Sequence, residues 1–270
     1  MLPRIESVMK SIKLSEIRRF VKVNIKKFHD ARLKCLQETK LDELLKNKNP
    51  YLFKAKALLT APDLVASLLE ARLSSSEEEL FGTFLEDLAI FVAGKSLGAR
   101  KSGAAGIDFE YTINKTYYLV AVKSGRNWGN NSQWEALVAN FKRASNVLRQ
   151  SGQVADVKCI LAISYGKSRS SVVRGFIHQI FGQNFWHMIS GDTEFYKKIV
   201  EPLGHNAVRF NSQFSAKKVV VIKNFTEQFK SEYCNQKGSI LWTKLVEYNS
   251  GNLLKVVVPK KAKMKSHIYK

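Results

Sequence analysis

The sequence predicts an α/β fold, and three stretches carry the prediction. A helical pattern occupies residues 77–93, an alternating hairpin pattern occupies 107–123, and a helix followed by a short apolar run occupies 133–164. Helix, hairpin, helix and strand in that order describe a sheet covered by helices. The chain has 270 residues, enough for one elaborated domain or two small ones. The expected division is a helical region over 1–73 (an arm or a dimerisation element), a core over 74–210, and a strand and helix region with a basic tail over 211–270.

Residues 1–45 read as helical, with mixed apolar and basic segments and no glycine. Asn47 to Pro50 interrupts that pattern. A further helix is expected over 51–73, with Pro62 near an internal boundary. The run Ser74-Ser75-Ser76-Glu77-Glu78-Glu79 reads as a helix start. Ser75 with Glu78, or Ser76 with Glu79, has capping-box spacing. This helix is expected to stop at Gly94. Leu80, Phe84, Leu88 and Phe91 form its apolar stripe. A second stripe, Gly82, Glu86, Ala89 and Ala93, is small except for one carboxylate. A small face lets another element come close, so Glu86 is expected to point at it.

The hairpin follows. Ile107, Phe109, Tyr111 and Ile113 are expected on one face, and Asp108, Glu110 and Thr112 on the other. Thr116 to Lys123 is the return strand, with Asn114-Lys115 as the turn. A two-residue turn pairs Ile113 with Thr116 and sets Asp108 opposite Ala121. Lys123 is then the diagonal neighbour of Asp108. A slip of one residue would put the two on opposite faces.

Ser124 to Trp134 reads as a polar loop, and Ser132 with Glu135 as the cap of a helix from Gln133 to about Gln150. Val157 to Ser164 is short and apolar, as a buried strand would be. Gly166 to Ser171 is a basic loop. Residues 172–210 mix aromatics with short elements. Lys217 to Lys223 is expected to be a strand, and Thr226 to Asn249 helical with a break at Gly238. The segment from Lys255 holds six lysines and no acid, as a solvated end or a DNA-contacting arm would.

Charge narrows the function classes. Forty-four Lys and Arg against twenty-three Asp and Glu give +21, an excess that favours polyanions through counterion release. An anionic membrane surface is the remote alternative. No apolar run reaches the roughly 20 residues that span a bilayer. The three cysteines, Cys35, Cys159 and Cys234, are sparse and far apart, so free thiols in a reducing, cytoplasmic setting are expected. His178, His187 and His205 lack zinc or triad spacing.

Phosphodiester hydrolysis calls for a metal, an activated water and stabilisation of charge growing on the phosphate. Magnesium takes oxygen ligands, commonly one or two carboxylates with water and phosphate. Asp108 and Glu86 are the candidate carboxylates, the Val122 backbone carbonyl a third donor, and Glu110 a further one. Lys123 is placed to orient the attacking water or to stabilise the phosphate. Across residues 74–205 this arrangement resembles the PD-(D/E)xK nuclease superfamily, and the wider sequence resembles its type II restriction endonucleases. Glu86, Ile107-Asp108 and Ala121-Val122-Lys123 carry the resemblance, supported by the stretches after Lys123 and around Trp186.

The resemblance implies a restriction-endonuclease-like mixed sheet flanked by helices, with 74–210 as its nuclease core. It implies Asp108 as metal-binding aspartate, Lys123 as catalytic lysine and Glu86 as the helix acid of some members. It also implies Mg2+, with Mn2+ able to substitute, double-stranded DNA as substrate, a homodimer and a cognate DNA methyltransferase. Two positions depart from the pattern: Ile107 stands in place of proline, and Ala121 stands where a second acid is usual. Glu86 or Glu110 would then supply the missing carboxylate. Arg126, Asn127, Trp128, Asn130 and Asn131 are candidates to enter a DNA groove, and Lys167 and Arg169 to contact phosphate. Two rivals remain: a structure-specific nuclease of the junction-resolvase or repair kind, and a DNA-binding protein that has lost catalysis through Ala121. If six to ten phosphates are contacted, DNA affinity falls by about 10³–10⁵ between 50 and 200 mM salt, as read in a filter-binding titration.

Overall fold

The computed structural model describes residues 9–152 and 156–252. Helices α1 (Leu14–Glu38), α2 (Leu41–Asn47) and α3 (Pro50–Ala55) precede a long helix α4 (Ala61–Leu97). Strands β1 (Arg100–Lys101), β2 (Phe109–Ile113) and β3 (Thr116–Lys123) follow, then α5 (Asn131–Gln150) and β4 (Asp156–Ile163). Strands β5 (Ser171–Val173) and β6 (Ile177–Phe181) lead into α6 (Gly182–Ser190), α7 (Phe195–Lys198) and α8 (Val200–Leu203). The last helices are α9 (Ala207–Tyr233) and α10 (Trp242–Ser250).

One six-stranded sheet has the order β1-β2-β3-β4-β6-β5. Pairing is antiparallel for β1–β2, β2–β3 and β5–β6, and parallel for β3–β4 and β4–β6. This is the mixed sheet flanked by helices that the sequence predicted. Ile113 pairs with Thr116, so the hairpin closes through the two-residue turn. Asn114 and Lys115 adopt φ of 48° and 66°, the left-handed pair that this kind of turn requires.

The chain divides into two compact units. The first, residues 1–38 with 70–221, holds the sheet. On one face Phe109, Tyr111, Val120 and Val122 pack with Leu85, Leu88 and Ala89 of α4 and Ile17, Val21 and Ile25 of α1. On the other, Leu119, Ala121 and Leu161 pack with Leu137, Phe141 and Ala144 of α5. The second unit, residues 39–69 with 222–270, is helical in its described part. There the Asn249 amide donates to the carbonyls of Leu45 (2.6 Å) and Lys48 (3.1 Å), tying α10 to the end of α2. The division therefore differs from the linear one: α1 joins the sheet unit, and residues 39–69 join the chain's last helices.

Several local expectations are corrected. No helix starts at residues 74–79, because α4 runs through them. Ser75 bonds back to the Ala71 carbonyl at 3.1 Å, the alternative open to a mid-helix serine. Gly94 is internal, and the helix ends at Leu97 before Gly98 (φ 67°). The cap of α5 is Asn130 with Gln133, not Ser132 with Glu135. Lys217 to Lys223 is helical within α9, not a strand. Its Val219 and Val220 are exposed, while buried Thr226, Phe229 and Tyr233 recur at helical spacing. Ile107 packs with the α5 face rather than with Phe109. It lies in a turn, its N–H donating to the Ala104 carbonyl at 3.1 Å, so strand alternation has not yet begun. The basic tail from Lys255 lies outside the described residues.

Phe141 is fully buried at the centre of the α5 face. Phe141→Ala is expected to lower unfolding free energy by about 3–5 kcal/mol, read from the denaturant midpoint.

Candidate active site

The site forms where β2 stops short and β3 continues. Phe109 pairs with Val120, and the Asp108 N–H donates to the Val120 carbonyl at 2.9 Å. The paired register ends at Phe109, and Asp108 lies just beyond it. Beyond this point β2 offers no backbone acceptor to Val122. The Asp108 side chain fills the role: Oδ2 accepts the Val122 N–H at 2.6 Å. In an extended strand a residue's N–H and C=O point to the same neighbour, so the Val122 carbonyl faces this same edge. Among the described residues no donor is bonded to Oδ1 of Asp108.

Glu86 arrives from α4, and the small stripe explains how. A Cβ built on Gly82, one turn before Glu86, would lie 3.3 Å from the Ser124 Cβ. The helix thus touches the chain immediately after Lys123. Glu86 is half-buried, without a hydrogen bond or ion pair among the described residues. Burial pushes its carboxyl above the ordinary value; the negative charge of Asp108 adds to this, and Lys101 and Lys123 oppose it. Asp108 is raised too, chiefly by burial, against the Val122 N–H, Lys123 and Lys101. Both groups therefore lie within electrostatic reach of the same two lysines.

Lys123 ends β3 and is half-buried. Its carbonyl accepts the Ser164 N–H at 2.8 Å, and the Ser124 carbonyl accepts the Tyr165 N–H at 3.0 Å. These bonds fix the chain on the β4 side. Its ammonium lies 5.6 Å from the Trp128 ring centroid, a cation–π arrangement that steadies the side chain. Trp128 in turn packs 4.8 Å from Trp134.

Other sequence candidates are placed differently. Glu110 is engaged by Arg100 (2.9 Å) and Ser102 (2.8 Å) through its two oxygens, which removes it from the carboxylate pair. Trp128 supports Lys123 from a half-buried position instead of projecting outward. Asn130 spends its side-chain oxygen on the Gln133 N–H of the α5 cap. Arg126, Asn127 and Asn131 are exposed, as are Lys167 and Arg169 in the loop after β4. Ala121 is fully buried among Leu137 and Phe141, so the hairpin position of the missing acid lies in apolar packing. Lys101 was not foreseen: a two-residue strand is too short to show periodicity.

Among the described residues no group of three or more His, Cys, Asp or Glu side chains is arranged to hold a metal ion. Two carboxylates and one carbonyl are nevertheless hard oxygen donors of the kind that bind a magnesium-like cation together with water and phosphate. The donor set fits such an ion. No helix among the described residues is long and apolar enough to cross a membrane.

A family model for the type II restriction endonuclease EcoO109I matches residues 15–211. No curated protein matches the chain.

If burial raises Glu86, the folded protein binds a proton more tightly than the unfolded chain. Stability then falls as pH rises from the ordinary carboxylate range to the raised value, and the deficit persists above it. Glu86→Gln is thus expected to raise the melting temperature at pH 8 in metal-free buffer, measured by scanning calorimetry.

Proposed function

The chain belongs to the EcoO109I family of type II restriction endonucleases, and from that premise we propose how its residues cut DNA. A member of this family is a DNA-cleaving hydrolase, and type II restriction endonucleases generally use a divalent metal. We assign Asp108 and Glu86 as the carboxylates that hold this metal, with the Val122 carbonyl as a third donor. The observation that carries the assignment is the Asp108–Val122 bond, which turns the carboxylate and the carbonyl towards one edge of the sheet. A divalent cation held by these residues would neutralise phosphate charge and make a water nucleophilic near neutral pH.

The protein's own groups do the rest. Asp108 is held by a backbone donor, so its free oxygen is pre-oriented. Glu86 supplies from α4 the carboxylate that Ala121 does not supply from the hairpin. Lys123, fixed by Ser164 and Trp128, orients the water or offsets charge on the phosphate. Lys167 and Arg169, exposed on the loop after β4, are the proposed contacts to the DNA backbone, and the exposed Arg126, Asn127 and Asn131 the proposed residues that enter a groove. Mg2+ is the proposed ion, with Mn2+ as a substitute, and a homodimer acting on a palindromic site beside a cognate methyltransferase is the proposed context.

Incubation of plasmid DNA with Mg2+ tests this reading. A fixed ladder of fragments is expected from the natural chain and none from Asp108→Ala. Lys123→Ala should slow cleavage by about 10²–10³, the usual cost of one positioned charge-stabilising group. Cleavage confined to branched DNA would favour a structure-specific nuclease. Equal cleavage by Asp108→Ala would contradict the assignment.

A further inference from the structure

The carboxyl-terminal ends of β4 and β6 open into a cavity of about 690 Å³, the size of a small-molecule site. It lies on the α4 side of the sheet, between α4, the loop after β4, the start of α6, and Tyr196 and Leu203. It adjoins the candidate active site. Leu85, which lines it, precedes Glu86 on α4, and Ser164 donates its N–H to the Lys123 carbonyl at 2.8 Å.

The lining has two chemical characters. Phe81, Leu85, Trp186 and Tyr196 form an apolar, largely aromatic wall. Lys167, Ser168 and the first residues of α6 form a polar one. Phe181, which precedes α6, makes no side-chain cap. The first-turn N–H groups therefore lack an acceptor within the helix and present the positive end of its dipole. A Cβ on Gly182 would lie 2.9 Å from the Gly166 carbonyl oxygen, so glycine is what lets the loop carrying Lys167 close against this helix start. Ser164 supplies an independent sign of a ligand. Ile160 and Ala162 pack on the α4 side, so Ser164, next in that alternation, points towards the cavity. It is 3 % exposed, and among the described residues its hydroxyl has no hydrogen-bond partner. Buried polar groups in that state call for a missing partner. None of the described lining residues is acidic. Glu78, outside the lining, accepts a hydrogen bond from the Tyr165 hydroxyl at 3.2 Å.

We propose that this cavity binds one nucleoside monophosphate unit, with its phosphate on the α6 N-terminus and Lys167 and its base against Phe81 and Tyr196. A bare phosphate leaves the aromatic wall unused, and a bare ring leaves the helix start unused. The unit comes either from a strand of the DNA or from free nucleotide. The inference rests on the nuclease reading, which is what brings nucleotides to this face.

Titration calorimetry of the full chain in EDTA, with thymidine 5′-monophosphate, thymidine and inorganic phosphate as probes, tests it. The nucleotide is expected to bind saturably and at least about ten-fold more tightly than either fragment. Asn184→Asp adds a negative charge that suits a helix start but repels phosphate, so the melting temperature should hold while nucleotide affinity falls about ten-fold or more. Tyr196→Ala should weaken the nucleotide about ten-fold and leave inorganic phosphate unchanged. Photocrosslinking with 5-iododeoxyuridine at successive positions of a cleaved duplex separates the sources. A crosslink to Phe81 or Tyr196 marks the DNA strand, and nucleotide binding without any crosslink marks free nucleotide. A chain that binds the nucleotide but cuts no DNA would sink the nuclease reading and spare the cavity. A chain that cuts DNA yet shows neither nucleotide binding nor a crosslink, or binding indifferent to both variants, would overturn the proposal.

Discussion

The Asp108–Val122 hydrogen bond is the constraint on which the site depends. Strand β2 does not extend far enough to satisfy the Val122 N–H, and a buried backbone donor left alone is costly. The aspartate side chain meets that need at 2.6 Å. A backbone requirement thereby fixes a carboxylate in place, with little freedom left to lose when a ligand arrives. The tight turn at Asn114-Lys115 sets the register that makes the bond possible.

Around that bond the site opposes its own stability. Burial and proximity raise Asp108 and Glu86, so their charged forms are disfavoured in the folded protein alone. Lysines on two strands offset part of the conflict without cancelling it. On the proposed assignment, a cation between the two carboxylates would offset that cost, a trade of stability for function. The close approach of α4 serves the same end. Gly82 lets the helix touch Ser124, and a larger residue there would move Glu86 away from the hairpin.

Much of this was legible because the decisive relations were short-range. The two-residue turn set the hairpin register from Ile113–Thr116 to Phe109–Val120, and the small stripe on the helix pointed Glu86 at a close neighbour. Other features were set by tertiary partners. The serine run at 74–76 looked like a cap, but the helix passes through it because packing on both sides outweighs local preference. The valines at 219–221 looked like a strand, but no sheet edge receives them, and they lie in α9. Glu110 matched Asp108 in parity and lost its candidacy only through Arg100 and Ser102, residues whose pairing no periodicity reveals. Lys101 was hidden for the same reason.

The central claim is that one cation bridges side chains drawn from α4 and the hairpin. Anomalous diffraction from crystals of the protein grown with Mn2+ addresses it directly. A peak bound by Asp108 Oδ1, a Glu86 carboxylate oxygen and the Val122 carbonyl is the predicted result. A peak placed elsewhere, or an Asp108–Glu86 pair that remains empty at saturating Mn2+, would contradict the account.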